Sequence, residues 1–351
     1  KLDWDEESQS VQLYDYDELD VGLYFYDDEP GDWGDWDAVG CQKFEPGVEN
    51  PFFDPAKPTI IWSHGWQSDG TILKSRPGFL LTASGLNKYV HQVWKEQGWN
   101  VAIFHWVQLA DELLPNDAES KINSTITSDV GMRWKKSDGS YVNYNTPMMT
   151  VAEIFAAEYE KLAAEQHHSN IQLAGSSFGG QVVLHGAEII KANNVARLPN
   201  RIALLDMAWT VNYVYEAELY TTEITTRAAT ALSAEVPIEY YRTSILTMPF
   251  TPNELIEEAA FQEMVFDYAG DWGIELKHTV ITHHYFWSLE HPPPPAFNEN
   301  GSIAGIAASA PTPDSTVASM MSADYHWQQI EGMNTFDPGD DIFERQEGAG
   351  Y

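Results

Sequence analysis

A single cysteine, Cys41, occurs in 351 residues, so no disulfide can form within the chain. That excludes a small disulfide-stapled scaffold but not secretion, because a chain this long can bury a core that needs no staple. Basic residues are scarce: 19 lysines and arginines face 53 aspartates and glutamates, a formal net charge of −34. Such a field repels nucleic acid and anionic membrane surfaces and keeps the protein soluble, including in a salty medium. No run of about 18 apolar residues is present, so no membrane-spanning helix is expected. Nor does any period of 20–50 residues recur, which sets solenoids and propellers aside. The chain starts at Lys1 without a methionine or an apolar leader, as a processed, extracellular protein would.

What the sequence does have is 43% hydrophobic and 13% aromatic content, enough for a packed globule. Residues 1–50 form an acidic, aromatic segment expected to pack on the core, with "VGLYFY" (21–26) as an edge strand. The carboxylates around it can hold calcium in principle. They lack the regular spacing of an EF-hand loop, so a solvated acidic surface is the reading adopted and no cofactor is expected. From residue 58 the pattern becomes rhythmic. The apolar runs "PTIIWS", "NVAIFHW", "NIQLAG", "RIALLDMAW" and "PIEYYRTSIL" alternate with helical stretches. Those stretches are "LNKYVHQVWKEQG", "TVAEIFAAEYEKLAAEQ", which opens with a Thr150/Glu153 capping box, and "GQVVLHGAEIIKA". The alternation predicts an α/β fold, a mostly parallel sheet covered by helices on both faces.

Residues 51–291 are expected to form this core. An insertion at 107–149, with a hairpin turn at Asp138-Gly139, is too long for an ordinary connection and is read as a lid or rim. Its Trp134, Tyr141 and Tyr144 suit either the cover of an apolar pocket or the hairpin's own packing. A second insertion, 208–236, has helical character. Residues 292–351, rich in Pro, Gly and Ala, are expected to be an irregular extension, frayed after Asp337. The glycosylation sequons at Asn123 and Asn300 matter only in a host that uses them.

Chemistry enters at "LAGSSFGGQ". Gly175-Ser176-Ser177-Phe178-Gly179 matches G-x-S-x-G between a predicted strand and a predicted helix, the setting a nucleophile elbow requires. Ser177 would sit at the apex of the turn, with glycines on either side allowing strand and helix to approach. The backbone N–H of Phe178 would be one oxyanion donor. "SHGW" (63–66), a tight bend after an earlier strand, would supply the second from the N–H of Trp66, with His64 shaping the loop.

Four stretches, "IIWSHGW", "NVAIFHW", "LAGSSFGG" and "RIALLDMAW", resemble the lipase-like α/β-hydrolases in order and content, over roughly residues 58–291. The resemblance implies an α/β-hydrolase fold with a lid insertion, and a serine hydrolase of carboxylic esters, either acyl lipids or short-chain esters. It also implies a triad acid. In the pancreatic-lipase-like branch the acid follows the strand after the nucleophile, which is Asp206 here. Other branches place it one strand later, where the first carboxylate is Glu254, and a strand-end aspartate can also simply cap a helix.

The four histidines of "KHTVITHHYFWSLEH" (277–291) then divide. The family's pattern, a His followed six to eight residues on by Tyr or Phe and then by Ser, fits His278. His283 and His284 lie too close to Tyr285-Phe286 for that register. If 279–290 is helical, His278 stands at its mouth, and His284 and His291 share a face. No pair four apart supports a zinc site. Ser176, where many lipases carry histidine, and the missing disulfides depart from the family pattern and bear on the substrate more than the reaction. The same triad could instead move the acyl group to an alcohol, as a transferase does, and a non-catalytic lipid or ligand carrier on this fold is the reading from another class.

Overall fold

The computed structural model describes residues 16–27, 40–75, 77–83, 86–125, 130–144, 148–210, 221–243, 255, 257–269, 273–321 and 323–348. Twelve strands form one sheet. They are β1 (Gly22–Tyr26), β2 (Cys41–Lys43), β3 (Thr59–Ser63), β4 (Asn100–His105), β5 (Ile171–Ser176) and β6 (Arg201–Leu205). Then follow β7 (Ile238–Arg242), β8 (Ala260–Glu263), β9 (Pro295–Phe297), β10 (Ile303–Ile306), β11 (Tyr325–Glu331) and β12 (Ile342–Glu347). The spatial order is β10-β9-β12-β11-β8-β7-β6-β5-β3-β4-β1-β2. From β4 through β3, β5, β6, β7 and β8 to β11 every neighbour is parallel, whereas β1 joins β4 and β2 antiparallel. The reversal at β3/β4 followed by the outward run from β5 is the strand order of the α/β-hydrolase fold.

Every residue of β3, β4, β5, β6 and β7 is buried, as parallel strands covered on both faces must be. The helices are α1 (His91–Glu96), α2 (Pro115–Asn123), α3 (Val151–Glu165), α4 (Phe178–Asn194), α5 (Thr221–Leu232), α6 (Ile274–Ser288) and α7 (Asp314–Met321). α3 packs on α4 and α4 on α5, while α1 packs on α6. The Thr150 box that starts α3 is formed in both directions: Glu153 N–H donates to Thr150 Oγ1 (3.1 Å) and Thr150 N–H to Glu153 Oε2 (2.8 Å). Among the described residues no helix is long and apolar enough to cross a membrane.

Four expectations need correction. "VGLYFY" is not an edge strand: β1 is fully buried between β4 and β2, and the three-residue β2 takes the edge. "LNKYVHQ" opens with a strand, Leu86–Tyr89, paired antiparallel with Leu80–Ala83, and only His91–Glu96 is helical. Tyr89 lies opposite Leu80 in that pair, and the helix begins only after it. The C-terminal extension is not irregular, for β9, β10, β11 and β12 continue the sheet beyond β8. Nor are the described residues after Asp337 frayed, because β12 pairs with both β9 and β11. Finally, α6 begins at Ile274, so His278 lies in its second turn rather than at its mouth, and His291 falls beyond its end.

The 107–149 insertion holds a single helical turn (Val107–Ala110), α2, and the hairpin Arg133–Lys135/Tyr141–Asn143 around Asp138-Gly139. Gly139 has φ +83, as that turn requires. Trp134 is buried in the core, and Tyr141 stacks under Arg133, whose guanidinium carbon lies 3.9 Å from the ring centre. Trp134 and Tyr144 thus pack toward the core, and Tyr141 packs within its own hairpin. Of the acidic stretch 15–37 considered for calcium, residues 16–27 are described, whereas 15 and 28–37, like the alternative acid Glu254, lie outside the described residues.

Candidate active site

Ser177 steps off the carboxyl end of β5 and is the residue before α4. Its backbone, at φ 55 and ψ −129, is in a region that L-residues with side chains rarely adopt, the strain expected of an elbow. The elbow fits only because its glycines lack side chains. A Cβ on Gly179 would collide with the carbonyl of Ser63 at the end of β3. Ser176, the other serine of the motif, is buried, and its Oγ accepts the indole N–H of Trp62 at 3.1 Å. Of the two adjacent hydroxyls, then, only Ser177 sits at the apex, and it is partly exposed.

Register places the second residue. Ser176 of β5 lies opposite Leu205 of β6, so Ser177 and Asp206 leave adjacent strands side by side. The N–H of Ser177 donates to the Leu205 carbonyl (3.2 Å), joining the two exits directly. Asp206 is completely buried and, like Ser177, has a positive φ, 47. Its Oδ1 accepts the backbone N–H of Thr243, just past β7, at 2.8 Å. Its Oδ2 lies 2.7 Å from Nδ1 of His278. The carboxylate can only accept, so Nδ1 carries the proton and Nε2 is left with a free lone pair. The imidazole is about one-fifth exposed, enough to face a reactant.

The loop after β3 comes up against the same point. Gly65 packs so tightly on the elbow that a Cβ there would fall 2.5 Å from Ser177 Cβ and 3.2 Å from the Phe178 nitrogen. Trp66, the next residue, has its indole N–H on the carbonyl of Glu112 (2.8 Å). His64 is buried and stacked on Trp106. Trp106 donates its backbone N–H to Nε2 of His64 (3.1 Å), and Nδ1 therefore donates to the Gly65 carbonyl (2.8 Å). Burial pulls its pKa down to about 4, so it stays neutral and holds the loop's shape.

The other histidines of the 277–291 cluster do not converge. His283 is buried and its pKa falls to about 4 because of that burial. His284 pairs with Asp341 (2.9 Å), which also accepts Gln329 Nε2 (2.7 Å), and so ties α6 to the start of β12. His291 lies 3.1 Å from Asp337. Among the described residues no group of three His, Cys, Asp or Glu side chains is placed to hold a metal ion.

Two contributors carried no readable signal. The Thr243 N–H is a backbone donor, which no side chain announces. Buried Glu119 of α2 accepts from Gln181 Nε2 (2.8 Å), and Gln181, one turn into α4, also donates to the Ala208 carbonyl (2.7 Å). Gln181 thus ties the loop after Asp206 to the helix behind Ser177, and Glu119, 62 residues before it in sequence, holds Gln181 in place.

No family model matches the chain, and no curated protein matches it. Solved structures similar to it include the esterase Est22 with p-nitrophenol, at 11% identity and a TM-score of 0.37 over 77% of this chain and 79% of that one. Another is an esterase from Rhizomucor miehei (13%, TM-score 0.34, 68% of this chain and 80% of that one). An acylaminoacyl peptidase from Pyrococcus horikoshii is also similar (11%, TM-score 0.36), where 68% of this chain spans 38% of the other. None of these likenesses bears on the assignment, which rests on strand order and the elbow. On those two observations, the chain has the α/β-hydrolase fold, with Ser177 and Asp206 at the carboxyl ends of adjacent parallel strands and His278 of α6 bonded to Asp206.

Proposed function

We propose that the protein is a serine hydrolase that cleaves carboxylic esters, of acyl lipids or short chains, through an acyl-enzyme. The observation that carries this reading is the 2.7 Å bond between Asp206 and His278, set beside a strained Ser177 on the neighbouring strand end. Asp206 holds the imidazole in the tautomer whose Nε2 accepts a proton. His278 Nε2 takes the Ser177 hydroxyl proton as Oγ bonds to the ester carbonyl carbon, and the carbonyl oxygen becomes an oxyanion. The N–H groups of Phe178 and Trp66 receive that charge, assisted by the positive end of α4. Collapse breaks the bond to the alkoxy oxygen, which leaves with the proton held by His278. Water then repeats the sequence on the acyl-enzyme, giving the carboxylic acid and free Ser177. None of these steps calls on a metal or cofactor.

A non-catalytic carrier would have no use for a backbone strain of about 1–3 kcal/mol at Ser177, and such strain is what an elbow stores. Incubation with a fluorophosphonate should label wild-type protein stoichiometrically and leave Ser177→Ala unlabelled. Short p-nitrophenyl esters should be hydrolysed in the same pattern. Labelling that persists in Ser177→Ala, or wild-type protein inert to both reagents, would sink the proposal.

A further inference from the structure

An oxyanion donor on a loop works only if the loop's backbone is held still before the substrate arrives. Residues 66–75 make that loop here, and its shape is unusual: Asp69 and Lys74 both have positive φ, 59 and 50. The Tyr16 hydroxyl holds the loop's far end at the Lys74 carbonyl (2.8 Å), and one short stretch after β4 fastens residues 66–71. Asp111 is completely buried. Its Oδ1 accepts the backbone N–H of Asp69 (2.8 Å) and the ammonium of Lys135 (2.9 Å), and its Oδ2 accepts the backbone N–H of Thr71 (2.9 Å). The residues on either side continue the work. The Ala110 carbonyl accepts the Gln67 N–H at 3.4 Å, and the Glu112 carbonyl accepts the Trp66 indole at 2.8 Å.

This stretch cannot drift. The Glu112 carboxylate is buried between Lys121 (2.6 Å) and Arg133 (2.8 Å to Nε), and Lys121 reaches on to the carbonyls of Leu109 and Arg133. Burying a carboxylate is costly unless its lone pairs are used, and Asp111 spends two of them on backbone amides of a single loop. The loop's other end is pressed against Ser177 and Phe178 through Gly65. The place of the Trp66 amide is therefore set from both sides.

We infer that Asp111 is a positioning residue for the oxyanion hole, acting through the 66–71 backbone on the Trp66 N–H. The inference rests on the serine-hydrolase reading and adds to it a residue that touches neither substrate nor triad. It acts on the transition state alone. Asp111→Asn replaces one acceptor oxygen by a donor and should lower kcat for p-nitrophenyl butyrate by about 100-fold, with KM within about twofold. Affinity for an alkyl boronic acid, whose adduct with Ser177 places an oxygen in the hole, should fall in proportion to kcat. A merely structural role would not link those two quantities. Should Asp111→Asn not fold, Asp111→Glu keeps the charge beside Lys135 while moving the carboxylate by one methylene, and it should lose at least about tenfold in kcat. Folded variants with unchanged kcat, or with kcat and boronate affinity moving independently, overturn the positioning role. Wild-type protein that neither hydrolyses the ester nor takes the fluorophosphonate label sinks the hydrolase reading and this role with it.

Discussion

Glu119 gives the structure's sharpest quantitative test, because it is a carboxyl group in a place that disfavours its charge. It is fully buried on α2, and burial pushes its pKa up to about 7 against the hydrogen bonds from Thr210 and Gln181 that would lower it. Between the ordinary value of 4.5 and about 7 the folded protein keeps a proton that the unfolded chain has released. Stability therefore falls as pH rises through that window: it is complete below about 4.5 and has been lost by the time the folded group ionises. At about 1.4 kcal/mol per unit this amounts to roughly 3 kcal/mol, a large share of a typical domain's stability. Glu119→Gln removes the titration while keeping size and shape. Its carboxamide mispairs with the Thr210 donors, a cost of about 1–3 kcal/mol that does not depend on pH. Urea unfolding of both proteins at pH 5 and pH 8 should show the wild type losing roughly 3 kcal/mol relative to the variant. An advantage or deficit of equal size at both pH values would refute the reasoning, since Glu119 would then be ionised throughout.

Two further outcomes follow from the site. Asp206→Asn keeps the shape of the buried acid but can present its amide to His278 Nδ1, favouring the wrong tautomer. Its kcat should fall by about 10³–10⁴-fold with the fold intact by circular dichroism, and a loss under tenfold would remove Asp206 from the triad. His278→Ala should abolish ester hydrolysis, whereas His284→Ala, which unties α6 from Asp341, should lower the melting temperature by several degrees and leave kcat within about threefold. The opposite assignment of the two losses would show the histidine register to be wrong.

The part of this architecture legible in the sequence is the part written in contiguous residues. β3, β4, β5 and β6 are apolar runs closed by recognisable turns, and the elbow is five residues long. His278 was singled out through the family's spacing to Tyr285, Phe286 and Ser288, and the structure sets it against Asp206. Asp206 was reachable only by resemblance, since a strand-end aspartate looks the same whether it orients a histidine or caps a helix. The Nδ1 contact and the Thr243 amide that distinguish the two come from other strands and from α6. The C-terminal strands were illegible for another reason. Pro295–Phe297 and Ile303–Ile306 are too short, and too rich in Pro and Gly nearby, to show a period of two. Pro295–Phe297 is a strand because β12 offers it an edge, and Ile303–Ile306 then pairs on Pro295–Phe297, which is a property of the assembled sheet. The bracing by Glu119 and Asp111 was invisible because buried acids look like any others in a chain with 53 of them.

The positive φ of Ser177 has a practical consequence for anyone adapting this protein to heat. Glycine adopts that backbone conformation without steric strain, so a substitution can release strain here, offset in part by glycine's larger loss of chain entropy on folding. A selection that rewards melting temperature alone will find Ser177→Gly attractive and will keep the fold while discarding the hydroxyl at its centre. Engineering for durability here has to score turnover from the first round, because the easiest gain in robustness lies at the residue least dispensable to the proposed chemistry.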